Sequence, residues 1–126
     1  MADITPAIPS EINVIHAYGN GGFRISGVAH SGSVVVLPTL VEAWPVAALA
    51  EITEASLRVV VEAEPRVELL LVGCGPRLMP LPAELRRFLR ALGIAAEPMD
   101  TGAACRTYNV LVAEGRRVAA ALIAIP

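Results

Sequence analysis

The chain has 126 residues, enough for one domain whose core removes roughly two-thirds of the unfolded surface from water. Hydrophobic residues make up 55% and charged residues 17%, which excludes intrinsic disorder, and with 4% aromatics the core must come from Val, Leu, Ile and Ala. The net charge is −2 and the pI about 5.6, which argues against a field strong enough to draw the chain to nucleic acid or acidic lipid.

Residues 1–11, with Pro6 and Pro9 and no period, read as an N-terminal arm, and 12–126 as a single α/β domain. No basic stretch precedes an apolar run, so the start does not read as a signal peptide. Asn13 to Tyr18 reads as a strand, Gly19-Asn20-Gly21-Gly22 as a turn, and Phe23 to Ile25 as a second strand, with Gly27 marking a bulge or bend. His30 to Ser33 reads as another turn and Val34 to Leu37 as a β-branched strand closed by Pro38, so the first forty residues read as a β-meander.

The period then changes. Thr53 is placed to cap a helix with Leu57, Val60 and Val61 on its buried face and Pro65 as its stop. Val67 to Val72 is apolar except for Glu68, as expected of a strand covered on both faces. Pro82 opens a helix as its first residue. Leu85, Phe88, Leu89 and Leu92 line one side of it, Arg86, Arg87 and Arg90 line the other, and Gly93 ends it. Ile94 to Pro98 is a short strand. Thr101 caps a third helix from about Gly102 to Glu114, with Ala104, Tyr108, Leu111 and Val112 inward, and Arg116 to Ile125 is the final strand. From Thr53 onward the order is α-β-α-β-α-β, the pattern of an α/β sheet with helical crossovers.

In such a sheet ligands bind beyond the carboxyl ends of the strands. Two loops qualify: Gly73-Cys74-Gly75-Pro76, and Met99-Asp100-Thr101-Gly102. Gly73 and Gly75 alone are a GxG without the third glycine of a dinucleotide fingerprint. Cys74 is a candidate thiolate nucleophile near Arg77 or a helix N-terminus, but it has no histidine near it in sequence, and buried thiols are common. Thr107 and Asn109 are poor helix-interior residues, and with Arg106 they indicate polar work, either hydrogen bonding to a loop or lining a crevice. The candidate crevice is therefore Gly73, Cys74, Gly75, Asp100, Thr101, Arg106, Thr107 and Asn109. Arg106, six residues after Asp100, should bind another segment: carbonyls of residues 73–76, or Glu114 or Glu68. No catalytic constellation, metal spacing or cofactor motif is present; Cys74 and Cys105 are 31 residues apart, and His16 and His30 are isolated. The longest apolar run, nine residues from Val118, is far short of the ~20 that span a bilayer.

Three segments carry a family resemblance: Tyr18-Gly19-Asn20-Gly21-Gly22-Phe23-Arg24-Ile25; Glu68-Leu69-Leu70-Leu71-Val72-Gly73-Cys74-Gly75; and Met99 through Leu111 (MDTGAACRTYNVL) with Glu114-Gly115-Arg116-Arg117. In this order, across residues 12–125, they resemble the small domain-of-unknown-function family four-nine-eight, typified by a methanobacterial protein. The resemblance implies a three-layer fold with a mixed central sheet flanked by helices and an additional small N-terminal β-meander layer. Cys74 departs from the family pattern, which often has Thr there, and this weakens a nucleophile role. The family's mitochondrial member, complex I assembly factor three, helps assemble NADH:ubiquinone oxidoreductase through protein contacts. The resemblance implies a bacterial, cytoplasmic, non-enzymatic interaction factor assisting assembly of a complex I-like respiratory complex. Its expected partners are a respiratory-complex subunit, an assembly protein or a second copy of itself, with no nucleic acid, cofactor or transmembrane segment. The competing expectation is a small-molecule binder or enzyme using the crevice.

Overall fold

The computed structural model describes residues 11–126, so all but the last residue of the expected 1–11 arm lies outside it. The chain opens with three antiparallel strands, β1 (Ile15–Gly19), β2 (Gly22–Ile25) and β3 (Val28–Ser31). Two two-residue turns join them, Asn20-Gly21 and Ser26-Gly27, and all four turn residues have positive φ (52°, 77°, 50° and 82°). That is the turn geometry whose twist matches a hairpin. Gly27 is thus a hairpin turn residue, and His30 and Ser31 belong to β3 rather than to a turn.

The expected meander stops at Ser31. The next strand, β4 (Val34–Leu37), leaves that sheet and pairs with β5 (Leu40–Ala43) and with β8 (Val118–Leu122). β6 (Leu69–Gly73) and β7 (Ala95–Met99) complete a mixed five-stranded sheet in the order β5-β4-β8-β6-β7. β6 runs parallel to both β7 and β8; α2 (Ala83–Ala91) crosses from β6 to β7 and α3 (Thr101–Ala113) from β7 to β8. The expected first helix is reduced to α1 (Arg58–Val61), entered through a 3-10 turn at Ala55–Leu57. Thr53 does accept from the Ser56 N–H, at 3.1 Å. Pro82 sits just outside α2, which starts at Ala83.

Alternation across the central sheet divides the core in two. Val35, Leu70, Val72, Ala119 and Ala121 face one side, where Leu57, Val60, Leu85, Leu89 and Trp44 pack on them. Val34, Val36, Leu71, Ala120 and Leu122 face the other, beneath Phe23 and Ile25 of the meander and Ala104, Cys105, Tyr108 and Val112 of α3. The layers are therefore α1/α2, sheet, and α3 with the meander. The central strand β8 carries Ala119-Ala120-Ala121, fully buried, whose small side chains let both outer layers approach the backbone.

The β7 margin is closed chemically. Ala95 N–H donates to the Glu68 carbonyl and the Met99 carbonyl accepts from Cys74 N–H, so residues 95, 97 and 99 turn their backbone towards β6. Ala96 and Pro98 turn outward. Pro98 has no N–H to offer, and the Arg86 guanidinium donates to the Ala96 carbonyl at 3.5 Å.

Candidate functional site

The two loops at the carboxyl ends of β6 and β7 are brought together and stitched closed. Asp100, not Thr101, caps α3: its Oδ1 accepts from Ala103 N–H at 2.9 Å. Thr101 is the first helical residue and is fully buried. Its hydroxyl donates to the Ile123 carbonyl at 2.7 Å and accepts from Gly75 N–H at 2.9 Å, while its own N–H donates to the Gly75 carbonyl at 2.8 Å. One side chain thus ties the ends of β6, β8 and α3. Gly73 leaves the space for it: a Cβ there would meet Thr101 Oγ1 at 3.0 Å and the Thr101 Cα at 3.1 Å.

Cys74 is buried on the α1/α2 side of the sheet and its thiol faces the Met79 carbonyl at 3.5 Å. Cys105 lies on the opposite side, in the α3 layer, where burial pushes its thiol pKa up to about 12, Arg106 lowering it and Asp100 raising it by smaller amounts. Both thiols are buried, the reverse of the accessible setting of a nucleophilic cysteine.

Arg106, Tyr108 and Asn109 do other work: each reaches the first strand or the residues just before it. Arg106 is exposed and donates to the Tyr18 hydroxyl at 2.7 Å. Neither residues 73–76, Glu114 nor Glu68 receives it; Glu68 pairs with Arg117 instead. The buried Tyr108 donates to the Asn13 carbonyl at 3.0 Å. Asn109 Nδ2 donates to the Ile15 carbonyl at 2.7 Å and its Oδ1 accepts from Ile15 N–H at 2.9 Å. The amide pairs with β1 as another strand would. Thr107, half-buried, lies on the same helix. The eight candidate residues therefore divide: Gly73, Gly75, Asp100 and Thr101 form one closed junction, Cys74 faces one layer, Arg106 and Asn109 join α3 to the meander, and Thr107 sits half-buried between these two on α3. Tyr18 and Asn13 are the members of this seam that sequence reasoning missed, because their partners are separated by 88 and 95 positions.

Surface cavities lie elsewhere, two of them of note. One, of about 460 Å³, opens on the meander and includes Tyr18, Asn20, Arg24 and His30. The other, of about 260 Å³, is apolar, between Ile12, Leu37, Val67 and Val112, with Arg116 and Arg117 at its margin. Among the described residues no group of three or more His, Cys, Asp or Glu is placed to hold a metal ion, and no helix is long and apolar enough to cross a membrane.

These features define a three-layer mixed α/β domain whose polar residues at the strand ends serve the fold. The model of the family described as Protein of unknown function (DUF498/DUF598) matches residues 15–123, and the chain belongs to that family. It is 42% identical over 112 residues to an uncharacterised protein of Rhodobacter capsulatus, covering 89% of this chain and 85% of that one. It is 39% identical over 114 residues to NADH dehydrogenase [ubiquinone] 1 alpha subcomplex assembly factor 3 of Xenopus tropicalis, covering 90% of this chain, and 40% identical over 112 residues to the Homo sapiens protein of that name, covering 89%. The chain spans about six-tenths of the length of these two vertebrate relatives, 62% and 61%. Among solved structures, one described as an outer membrane protein from Bartonella henselae superposes with TM-score 0.84 at 40% identity, covering 95% of this chain and all of that one. A Bordetella pertussis protein described as a Mth938-like domain superposes with TM-score 0.80 at 36% identity, covering 98% and 92%.

Proposed function

We infer that this chain is a non-enzymatic assembly factor that acts by binding a subunit or another assembly protein of a respiratory NADH dehydrogenase, on the cytoplasmic side of the membrane. The observation that carries this reading is the identity to assembly factor 3, about 40% along nine-tenths of the chain. The geometry supports it. The residues suited to chemistry are consumed by the fold: Thr101, Tyr108 and Asn109 are hydrogen-bonded to backbone and Cys105 is buried in the α3 layer. The exposed surface offers side chains for protein contact, among them Tyr18, Val28 and Val110, at 39%, 56% and 57% exposure. Affinity purification of the tagged chain from its native host in mild detergent tests this. Recovery of a NADH dehydrogenase subunit or assembly protein, and loss of assembled complex on gene deletion, is the expected result. A deletion strain with normal complex levels, together with no such protein recovered, overturns it.

A further inference from the structure

The net charge of −2 conceals a segregation within the α1/α2 layer. Residues 42–64 carry five glutamates against Arg58 alone, whereas residues 75–93 carry four arginines (Arg77, Arg86, Arg87 and Arg90) against Glu84 alone. The second stretch thus has a local charge of +3 in an acidic protein. Arg66, bonded through Nη2 to the Leu92 carbonyl at 2.7 Å, adds a cation at the end of α2, and Glu97 of β7 adds an anion beside it. Arg77, Arg87 and Arg90 are exposed, and among the described residues none of the arginines of this stretch is in an ion pair; the pairs present are Arg58–Glu62 and Arg117–Glu68.

The loop that leads into α2 carries Arg77 and, next to it in sequence, projects apolar side chains. Leu78 is 63% and Met79 44% exposed. The loop is fixed on both flanks. Cys74 faces the Met79 carbonyl, Leu81 is buried in the core, and Pro76, Pro80 and Pro82 limit backbone freedom. Two large apolar side chains are thus held out of the core by a stiff, anchored loop, so little ordering entropy is lost when they are covered.

We propose that residues 76–79 and the outer face of α2 form a docking surface for an anionic lipid bilayer, with Leu78 and Met79 entering the headgroup boundary and Arg77, Arg87 and Arg90 meeting lipid phosphates. Charge complementarity selects this occupant: basic residues beside projecting apolar ones supply the two signals that interfacial binding requires, and neither suffices alone. A second copy could meet the basic face with its own acidic 42–64 stretch, but the exposed apolar residues there are alanines and Pro45, so Leu78 and Met79 would find no large exposed apolar side chain to cover them.

The test is co-sedimentation of the purified chain with phosphatidylglycerol–phosphatidylcholine vesicles and with pure phosphatidylcholine vesicles. Binding to the mixed vesicles, weakened by added salt, and little binding to the neutral ones, is the expected result. R87A/R90A and R24E lower the net charge by the same two units, from −2 to −4. The first should reduce binding about tenfold or more and the second, on the meander, should change it little. L78D/M79D should abolish it, with circular dichroism confirming that each variant is folded. Equal affinity for both vesicle types, or equal loss in R24E and R87A/R90A, overturns the proposal. Binding to soluble polyglutamate without binding to vesicles also overturns it, in favour of an acidic protein partner.

Discussion

Replacing Thr101 by valine keeps the side chain's shape and deletes one hydroxyl. That hydroxyl donates to the Ile123 carbonyl at 2.7 Å and accepts from Gly75 N–H at 2.9 Å, and all three residues are buried. No water reaches the two backbone groups left behind, so each costs its desolvation, about 1–3 kcal/mol, and the pair about 2–6 kcal/mol. Against a total stability on the order of 5–15 kcal/mol this is a large fraction. Thr101→Ser keeps the hydroxyl and loses one methyl group, for about 1 kcal/mol. Urea unfolding followed by fluorescence of Trp44, the single tryptophan and a buried one, measures both. With a urea slope of about 1–3 kcal/mol per molar, the valine variant should lower the midpoint by more than about 1 M and the serine variant by less. A valine variant within about 0.5 kcal/mol of the parent, or a serine variant as damaged as the valine one, refutes the assignment of Thr101 as the tie between β6, β8 and α3.

Asn109→Ala should cost about 2 kcal/mol by removing two bonds to Ile15, and amide exchange should show Ile15 losing protection while β6 keeps its own. Arg106→Ala should change stability by less than about 1 kcal/mol in the same urea assay, because Arg106 is exposed and its partner is a hydroxyl. A Cβ on Gly102 would lie 2.6 Å from the Tyr18 hydroxyl oxygen. Gly102→Ala should therefore destabilise the parent, yet stabilise a Tyr18→Ala background by up to about 1 kcal/mol through helix propensity, and a double-mutant cycle reads the difference. The Cys105 thiol has a folded pKa of about 12 against an ordinary 9.0, so its neutral form is favoured by folding. Stability from this group is complete below about pH 9 and falls by about 1.4 kcal/mol per pH unit between 9 and 12. Urea midpoints across that range should decline less steeply in Cys105→Ala.

Local chemistry made some elements legible. Asn20-Gly21 forces a hairpin turn, and Leu85, Phe88, Leu89 and Leu92 at helical spacing with Gly93 behind them delimit α2 to within a residue or two. β6 was readable because Leu69 to Val72 is apolar on both faces. β3 (VAHS) and β5 (LVEA) were not, because each is an edge strand of four residues with mixed burial and no alternation strong enough to show. The helix expected after Thr53 reaches α-geometry only over Arg58–Val61, where β-branched Val59, Val60 and Val61 favour helix weakly. In the candidate site, the polar character of Arg106 and Asn109 could be read from helix chemistry, but their partners could not. Ile15 and Tyr18 lie 94 and 88 positions away, and nothing local specifies which strand a helix side chain will meet. The crevice suggested by two facing loops is filled from within by Thr101, a residue that reads equally well as a cap.

The treatment of β7 limits the edge-to-edge contacts open to so apolar a chain, with mean hydropathy +0.60. A foreign strand approaching this margin finds one free donor, Ala96 N–H. The donor that should follow is missing at Pro98, and the acceptor between them is already taken by Arg86. Such a strand could form no continuous ladder, so stacking of sheets end to end, the first step towards a fibril, is interrupted on this side of every molecule. Exchanging Pro98 for a residue with an N–H would restore the missing rung without touching the core, and would convert a terminated sheet into a template.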